Sequence, residues 1–146
     1  MSEILVDNLT GKTSAGSVTV TSEGGAATQS LQQGLAKGWY HLDNDYTGTN
    51  PSGGNVTVQD SFNIASITDN GTGDYTMAWT NSFDNALYAI TQQGQYRDDE
   101  TQHEYAFQCG VKGSPTSSQY TFTWRYYTSS AYDPSKWWAV SHGDLA

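Results

Sequence analysis

Three stretches hold residue types that could do chemistry. The first is His41-Leu42-Asp43-Asn44-Asp45-Tyr46-Thr47-Gly48. Asp43, Asp45 and Thr47 start like a calcium loop, but such a loop needs a bidentate Glu at its twelfth position, and Gly54 stands there. The plainer reading is a solvated loop in which Asp and Asn satisfy turn backbone. The second is Asp98-Asp99-Glu100 with His103 and Glu104. Glycoside hydrolysis needs two carboxylates across a sugar-sized gap, and consecutive residues on a polar loop do not define one. The third is Cys109, which a nearby His103 could activate as a nucleophile. Its alternation with Phe107 and Val111 instead predicts a small buried hydrophobe. There is no glycine-rich phosphate loop, Gly-x-Ser-x-Gly elbow or His-Glu-x-x-His. The sequence therefore predicts no enzyme, no metal and no cofactor.

Aromatic residues are the stronger functional lead. Tyr126-Tyr127 and Trp137-Trp138 are adjacent pairs, and neighbours on a strand point to opposite faces. Tyr40, Tyr46, Tyr96 and Tyr132 fall in or beside polar stretches. Flat rings beside polar groups can stack on sugars or anchor a protein interface. The candidate ligand or interface residues are Tyr40, Tyr46, Tyr96, Tyr127, Tyr132, Trp137 and Trp138.

The elements that must position these residues are strands. Residues 61–80 predict a hairpin: Phe62 and Ile64 alternate, the phase slips at Ile67, and Tyr75, Met77 and Trp79 resume the period of two. Between the arms, Asn70-Gly71 and Gly73 tolerate positive φ, and the slip suggests a bulge. Residues 119–127 form a second clear strand, with Tyr120, Phe122, Trp124 and Tyr126 on one face. Further strands are expected at 39–42, from Val56, at 86–91 with Tyr88 and Ile90 on one face, at 103–111 with Tyr105, Phe107, Cys109 and Val111 inward, and at 137–141. Residues 43–55 and 92–102 read as polar connections. About eight strands joined by turn clusters predict an all-β fold, an antiparallel sandwich or jelly roll with an extended N-terminal arm. The expected core is Phe62, Ile64, Met77, Trp79, Tyr88, Ile90, Tyr105, Phe107, Phe122 and Trp124.

Residues 1–37 differ from residues 38–146, and the boundary is placed between them. No aromatic residue precedes Trp39. Ile4-Leu5-Val6 and the stretch holding Val18 and Val20 are short strand candidates. Ala27, Leu31 and Leu35 fall at helical spacing in a run too short to hold a helix alone, and a loop is the equal alternative. These eight residues are the expected attachment and oligomerisation contacts. The net charge is −9, and the six Lys and Arg are scattered, which argues against nucleic acid. No apolar run is long enough to span a bilayer, and no basic-then-apolar leader opens the chain. One cysteine excludes an intrachain disulfide framework.

Gly34-Leu35-Ala36-Lys37-Gly38-Trp39, followed by Ser61-Phe62-Asn63 and Asp69-Asn70-Gly71-Thr72-Gly73-Asp74-Tyr75-Thr76, resembles a module of tailed-bacteriophage fibre proteins. There a Gly-Leu-Ala-Lys-x-Trp start leads into a Ser-Phe-Asn-x-x-Ser-x-Thr-Asp-Asn-Gly-Thr-Gly-Asp-Tyr-Thr hairpin. The likeness covers residues 34–90, with residues 41–55 enlarged against the short turn of that module. The opening Met1-Ser2-Glu3-Ile4-Leu5-Val6-Asp7-Asn8-Leu9 resembles the start of many such virion proteins. The resemblance implies a non-enzymatic homo-oligomer, a trimer, in the virion, assembled in the host cytoplasm. It would be a fibre or knob component held to other virion proteins by its arm, with a host-surface glycan as a further partner. A head decoration protein fits the same residues. A stand-alone carbohydrate-binding sandwich is the alternative of another class.

Overall fold

The computed structural model describes residues 4–11, 18–25, 27–43, 56, 58–95, 107–126, 130–131 and 133–146. The chain divides into two compact units, Met1–Leu35 and Ala36–Ala146.

In the first unit β1 (Thr19–Thr21) pairs antiparallel with β2 (Thr28–Ser30), Val20 opposite Gln29. Gly25, at φ 69°, closes the connection by donating its N–H to the Ser22 carbonyl. One helical turn, α1 (Leu31–Gly34), follows. The expected helical stripe is thereby corrected. Ala27 lies before β2, Leu31 opens the turn and Leu35 lies beyond it, because pairing with β1 takes residues 28–30 into a ladder. Ile4-Leu5-Val6 is not a strand; among the described residues no neighbour pairs with it, and its three side chains are exposed.

The second unit is a sandwich of two four-stranded antiparallel sheets. One has the order β4 (Val58–Phe62), β3 (Gly38–Asp43), β10 (Lys136–His142), β7 (Ala89–Gln95). The other has the order β5 (Ile64–Gly71), β6 (Asp74–Trp79), β9 (Gln119–Tyr126), β8 (Phe107–Lys112). Alternation along each strand sends one set of side chains between the sheets. Tyr40, Leu42, Trp137 and Ala139 come from the first sheet, and Ile67, Tyr75, Met77, Tyr120, Phe122 and Trp124 from the second. Each large side chain fully removed from water contributes roughly 1.5–3 kcal/mol. Aromatic contacts fix the geometry, Tyr75 lying 4.9 Å from Trp137 across the sheets and 5.7 Å from Phe122 beside it.

The stretch 61–80 is not one hairpin. Phe62 ends β4 in the first sheet, and Ile64 begins β5 in the second. The chain changes sheets at Asn63, held at φ 61°. Its side-chain amide donates to the carbonyls of Lys37 (2.9 Å) and Asn81 (3.1 Å), and its oxygen accepts the Asn81 N–H (2.7 Å). Residues 64–79 form the hairpin, turning at Thr72-Gly73 with Gly71 at φ 130° and Gly73 at φ 67°. The expected slip is a register shift between Ile64 and Ser66.

Other expectations need correction. Phe62 is 52% exposed and outside the core, because the crossover at Asn63 breaks its parity with Ile64. Val111 is 50% exposed near the end of the edge strand β8, while Cys109 on the same strand packs against the core. Residues 92–95 are strand rather than connection, because β10 pairs with β7 as far as Gln95. Residues 86–88 precede that strand. Tyr88, Ile90 and Ile64 pack against the core only partly buried. Tyr105 and the facing of Phe107 and Tyr126 lie outside the described residues. Gln92, expected in a polar connection, instead turns toward the core and is satisfied at both ends: Cys109 Sγ donates to its oxygen (2.8 Å) and its amide donates to Tyr120 Oη (2.6 Å). Tyr120 and Tyr40 hydroxyls then meet at 3.2 Å, completing a polar chain through the core.

Candidate interaction face

The outer face of the first sheet is built by the side chains that the core rejects. Along β3, Tyr40 and Leu42 go in, so Trp39 and His41 come out; along β10, Trp137 and Ala139 go in, so Trp138 and Val140 come out. Register then brings the outward residues of neighbouring strands side by side. Phe62 on β4 lies opposite Trp39, Trp39 opposite Val140, and Val140 opposite Thr91 on β7. The next row across the same sheet is Asp60, His41, Trp138, Gln93. Trp39 and Trp138 are 37% and 39% exposed. His41 stands edge-on to the Trp138 ring, with centroids 6.0 Å apart. Beyond them Lys136 approaches Asp43 at 3.9 Å.

This arrangement sorts the expected aromatic residues. Trp138 lies on the outer face. Tyr40 and Trp137 are corrected: both are buried in the core, because strand alternation assigns the inward position to Tyr40 of the Trp39-Tyr40 pair and to Trp137 of the Trp137-Trp138 pair. Tyr46, Tyr96, Tyr127 and Tyr132 lie outside the described residues. Sequence reasoning missed Trp39, Phe62 and Val140. The signal for Trp39 was present, since the adjacent-pair argument used at Trp137-Trp138 applies equally to Trp39-Tyr40. Phe62 was hidden by the crossover at Asn63.

The chemical candidates fare differently. Asp43 is on β3 beside Lys136, whereas Asp45, Asp98, Asp99, Glu100, His103 and Glu104 lie outside the described residues. Among the described residues no three His, Cys, Asp or Glu side chains gather to hold a metal ion. Burial pushes the Cys109 thiol up to about 12, away from the thiolate that a nucleophile requires. Burial also raises the Tyr40 and Tyr120 hydroxyls above their ordinary 10.0. The Asp69 carboxyl, buried at the hairpin end, is raised by desolvation, partly offset by the Gly71 N–H, with Asp133 and Asp74 adding to the rise. Asp133 accepts from both Gly73 N and Tyr75 Oη at 2.6 Å, which ties the turn to the segment before β10. Among the described residues no helix is long and apolar enough to cross a membrane.

No family model matches the chain. No curated protein matches it either. Among solved structures the chain is similar to the phiAB6 tailspike, determined in complex with three-repeated oligosaccharides of Acinetobacter baumannii surface polysaccharide. The superposition has a TM-score of 0.53 at 10% identity and covers 86% of this chain. It spans 23% of the tailspike chain, so the present chain corresponds to less than a quarter of that protein's length. At this identity the likeness is one of fold: a β-sandwich of this kind occurs within a phage tailspike.

Proposed function

We propose that the chain is a non-enzymatic structural protein of a phage particle, a homo-oligomeric fibre or knob component. The observation that carries this reading is the tailspike fold covering 86% of the chain. The fibre-module resemblance of residues 34–90 supports it independently. In this reading residues 1–37 attach the protein to other virion proteins, the sandwich is presented outward, and the oligomer is a trimer. A head decoration protein is the variant of the same reading. The experiment is detection of the protein in purified particles by mass spectrometry and gold labelling. Label along or at the tip of the tail is expected, label over the head selects the decoration variant, and absence from particles overturns the reading.

One observation favours a second reading, a carbohydrate-binding sandwich. Trp39 and Trp138 are half-exposed beside Asp60, His41 and Gln93, which is a surface able to stack and hydrogen-bond a sugar. The tailspike of similar fold was solved with bacterial surface oligosaccharides. Binding of such glycans by a single-chain species, lost in Trp138→Ala, would establish it.

A further inference from the structure

We infer that the outer face of the sheet β4-β3-β10-β7 is an interface with a second copy of this chain. The inference rests on the oligomeric part of the proposed function and not on its virion role.

The molecule contains its own control. A sandwich has two outer faces, and on an antiparallel sheet that meets only water the outward positions are polar. The sheet β5-β6-β9-β8 obeys this rule. Its outward side carries Thr68, Thr76, Thr121 and Thr123, with the Thr76 and Thr121 hydroxyls 3.0 Å apart and Lys112 paired to Asp74. The sheet β4-β3-β10-β7 departs from it at equivalent positions. Phe62, Trp39 and Val140 stand in register on three adjacent strands, and Trp138 lies one row away. Three adjacent strands span about 10 Å from first to third, so these side chains form one continuous patch and not scattered surface apolars.

Its chemistry fits another protein surface better than a sugar. Apolar residues occupy the centre. The surround is polar, with Thr91 closing the same row, Asp60 and Gln93 at the ends of the next row and the Lys136–Asp43 pair further out, which is how an interface core and rim are arranged. Val140, beside Trp39, offers no flat ring to a pyranose but packs well against an apolar partner. Charge points to the same occupant. The chain carries −9, so identical copies repel wherever their acidic surfaces meet. On the described strands of this face Lys136 stands against Asp43 and Asp60 is the one further carboxylate, so the face carries little of the chain's negative charge and copies can close on it.

The test uses the full chain, with mass read by light scattering and sedimentation over a concentration series. The wild type is expected at a multiple of the 15.9 kDa chain mass. Trp39→Glu and Val140→Glu each place a charge at the centre of the patch. Each is expected to weaken association at least about a hundredfold, with near-ultraviolet circular dichroism unchanged because both side chains point away from the core. Should a Glu variant lose that signal, Val140→Thr, nearly isosteric, replaces it and is expected to weaken association by about tenfold for the added polar group. A wild type of single-chain mass at every concentration overturns the inference. So do folded variants whose mass is unchanged. A single-chain wild type that binds a neutral oligosaccharide through Trp138 assigns the face to sugar instead. Detection of the protein in particles is a separate reading: a single-chain form found there sinks the interface and leaves the virion role standing.

Discussion

Asn63 decides where the chain leaves one sheet for the other. A left-handed backbone costs an ordinary L-residue roughly 1–2 kcal/mol, and Asn is among the few that adopt it readily. Its side chain also links Lys37 and Asn81, segments far apart in sequence. Asn63→Ala is therefore expected to cost about 2–3 kcal/mol, from lost hydrogen bonds and backbone strain together. Asn63→Gly should cost about 1 kcal/mol less, since it loses the bonds but not the conformation. Urea midpoints for the pair measure this, and equal losses would show that the φ value contributes nothing. Cys109 gives a second prediction at this scale. In the unfolded chain its thiol ionises around 9.0, in the folded chain only near 12. The unfolded state therefore sheds its proton first, and stability falls as pH rises through that window. Tyr40 and Tyr120, raised above 10.0, add a loss of the same sign further up. Urea midpoints should drop between pH 9 and pH 11, and a disulfide reagent at pH 8 should modify Cys109 about a thousandfold more slowly in the native protein than in denaturant. Equal rates in the two states would place the thiol at the surface. Sequence alternation already put Cys109 inward; it could not show that the residue facing it across the core would be Gln92.

At the scale of the strand, glycines are cut to the size of their neighbours' rings. A β-carbon on Gly38 would stand 2.4 Å from the Trp79 ring, and one on Gly94 would stand 2.9 Å from Trp124. β3 and β7 can thus lie under the indoles of β6 and β9 only where they carry no side chain. Gly38→Ala is expected to cost about 1–3 kcal/mol as overpacking, and Trp79→Leu about 2–4 kcal/mol as a cavity. In the double variant the smaller side chain vacates the space the new methyl needs, so its cost should fall short of the sum by at least about 1 kcal/mol. Strict additivity in thermal and urea unfolding would mean that the two residues do not meet. These pairings also mark how far the strands were legible. β6 and β9 were readable because Tyr75, Met77, Trp79 and Tyr120, Phe122, Trp124 alternate without interruption. Alternation carried through Asn63 puts Phe62 inward, but the chain changes sheets there and parity restarts. The end of β7 reads as a connection in the sequence because Gln92 and Gly94 lack the apolar signature of a buried face. One is inside through its hydrogen bonds and the other through its lack of a side chain, and neither cause shows in a hydropathy pattern.

At the scale of the whole chain, the all-β class was legible from composition and turn spacing, whereas the outer aromatic face emerged only once register placed Phe62, Trp39 and Val140 in one row. The N-terminal residues pose the remaining question. Ile4, Leu5, Val6 and Leu9 are all exposed, outside any strand or helix. Four large apolar side chains within six residues have no reason to face water on their own account, and ordering such a segment costs roughly 1–2 kcal/mol of backbone entropy per residue. Under the proposed function a virion partner supplies the contacts that offset this cost. Replacing Ile4, Leu5 and Val6 together by Ser should then leave the unfolding free energy of the sandwich within about 0.5 kcal/mol of wild type, because exposed side chains contribute little to it. The same change should reduce incorporation into particles at least about tenfold, since each removed side chain forfeits more than about 1 kcal/mol of apolar burial. The two readouts separate the causes. Lost incorporation with an unchanged melting curve marks the segment as an attachment element. A lowered melting curve would mean that these side chains serve the fold of their own chain. Full incorporation of the triple variant would show that the particle is held by some other part of the molecule.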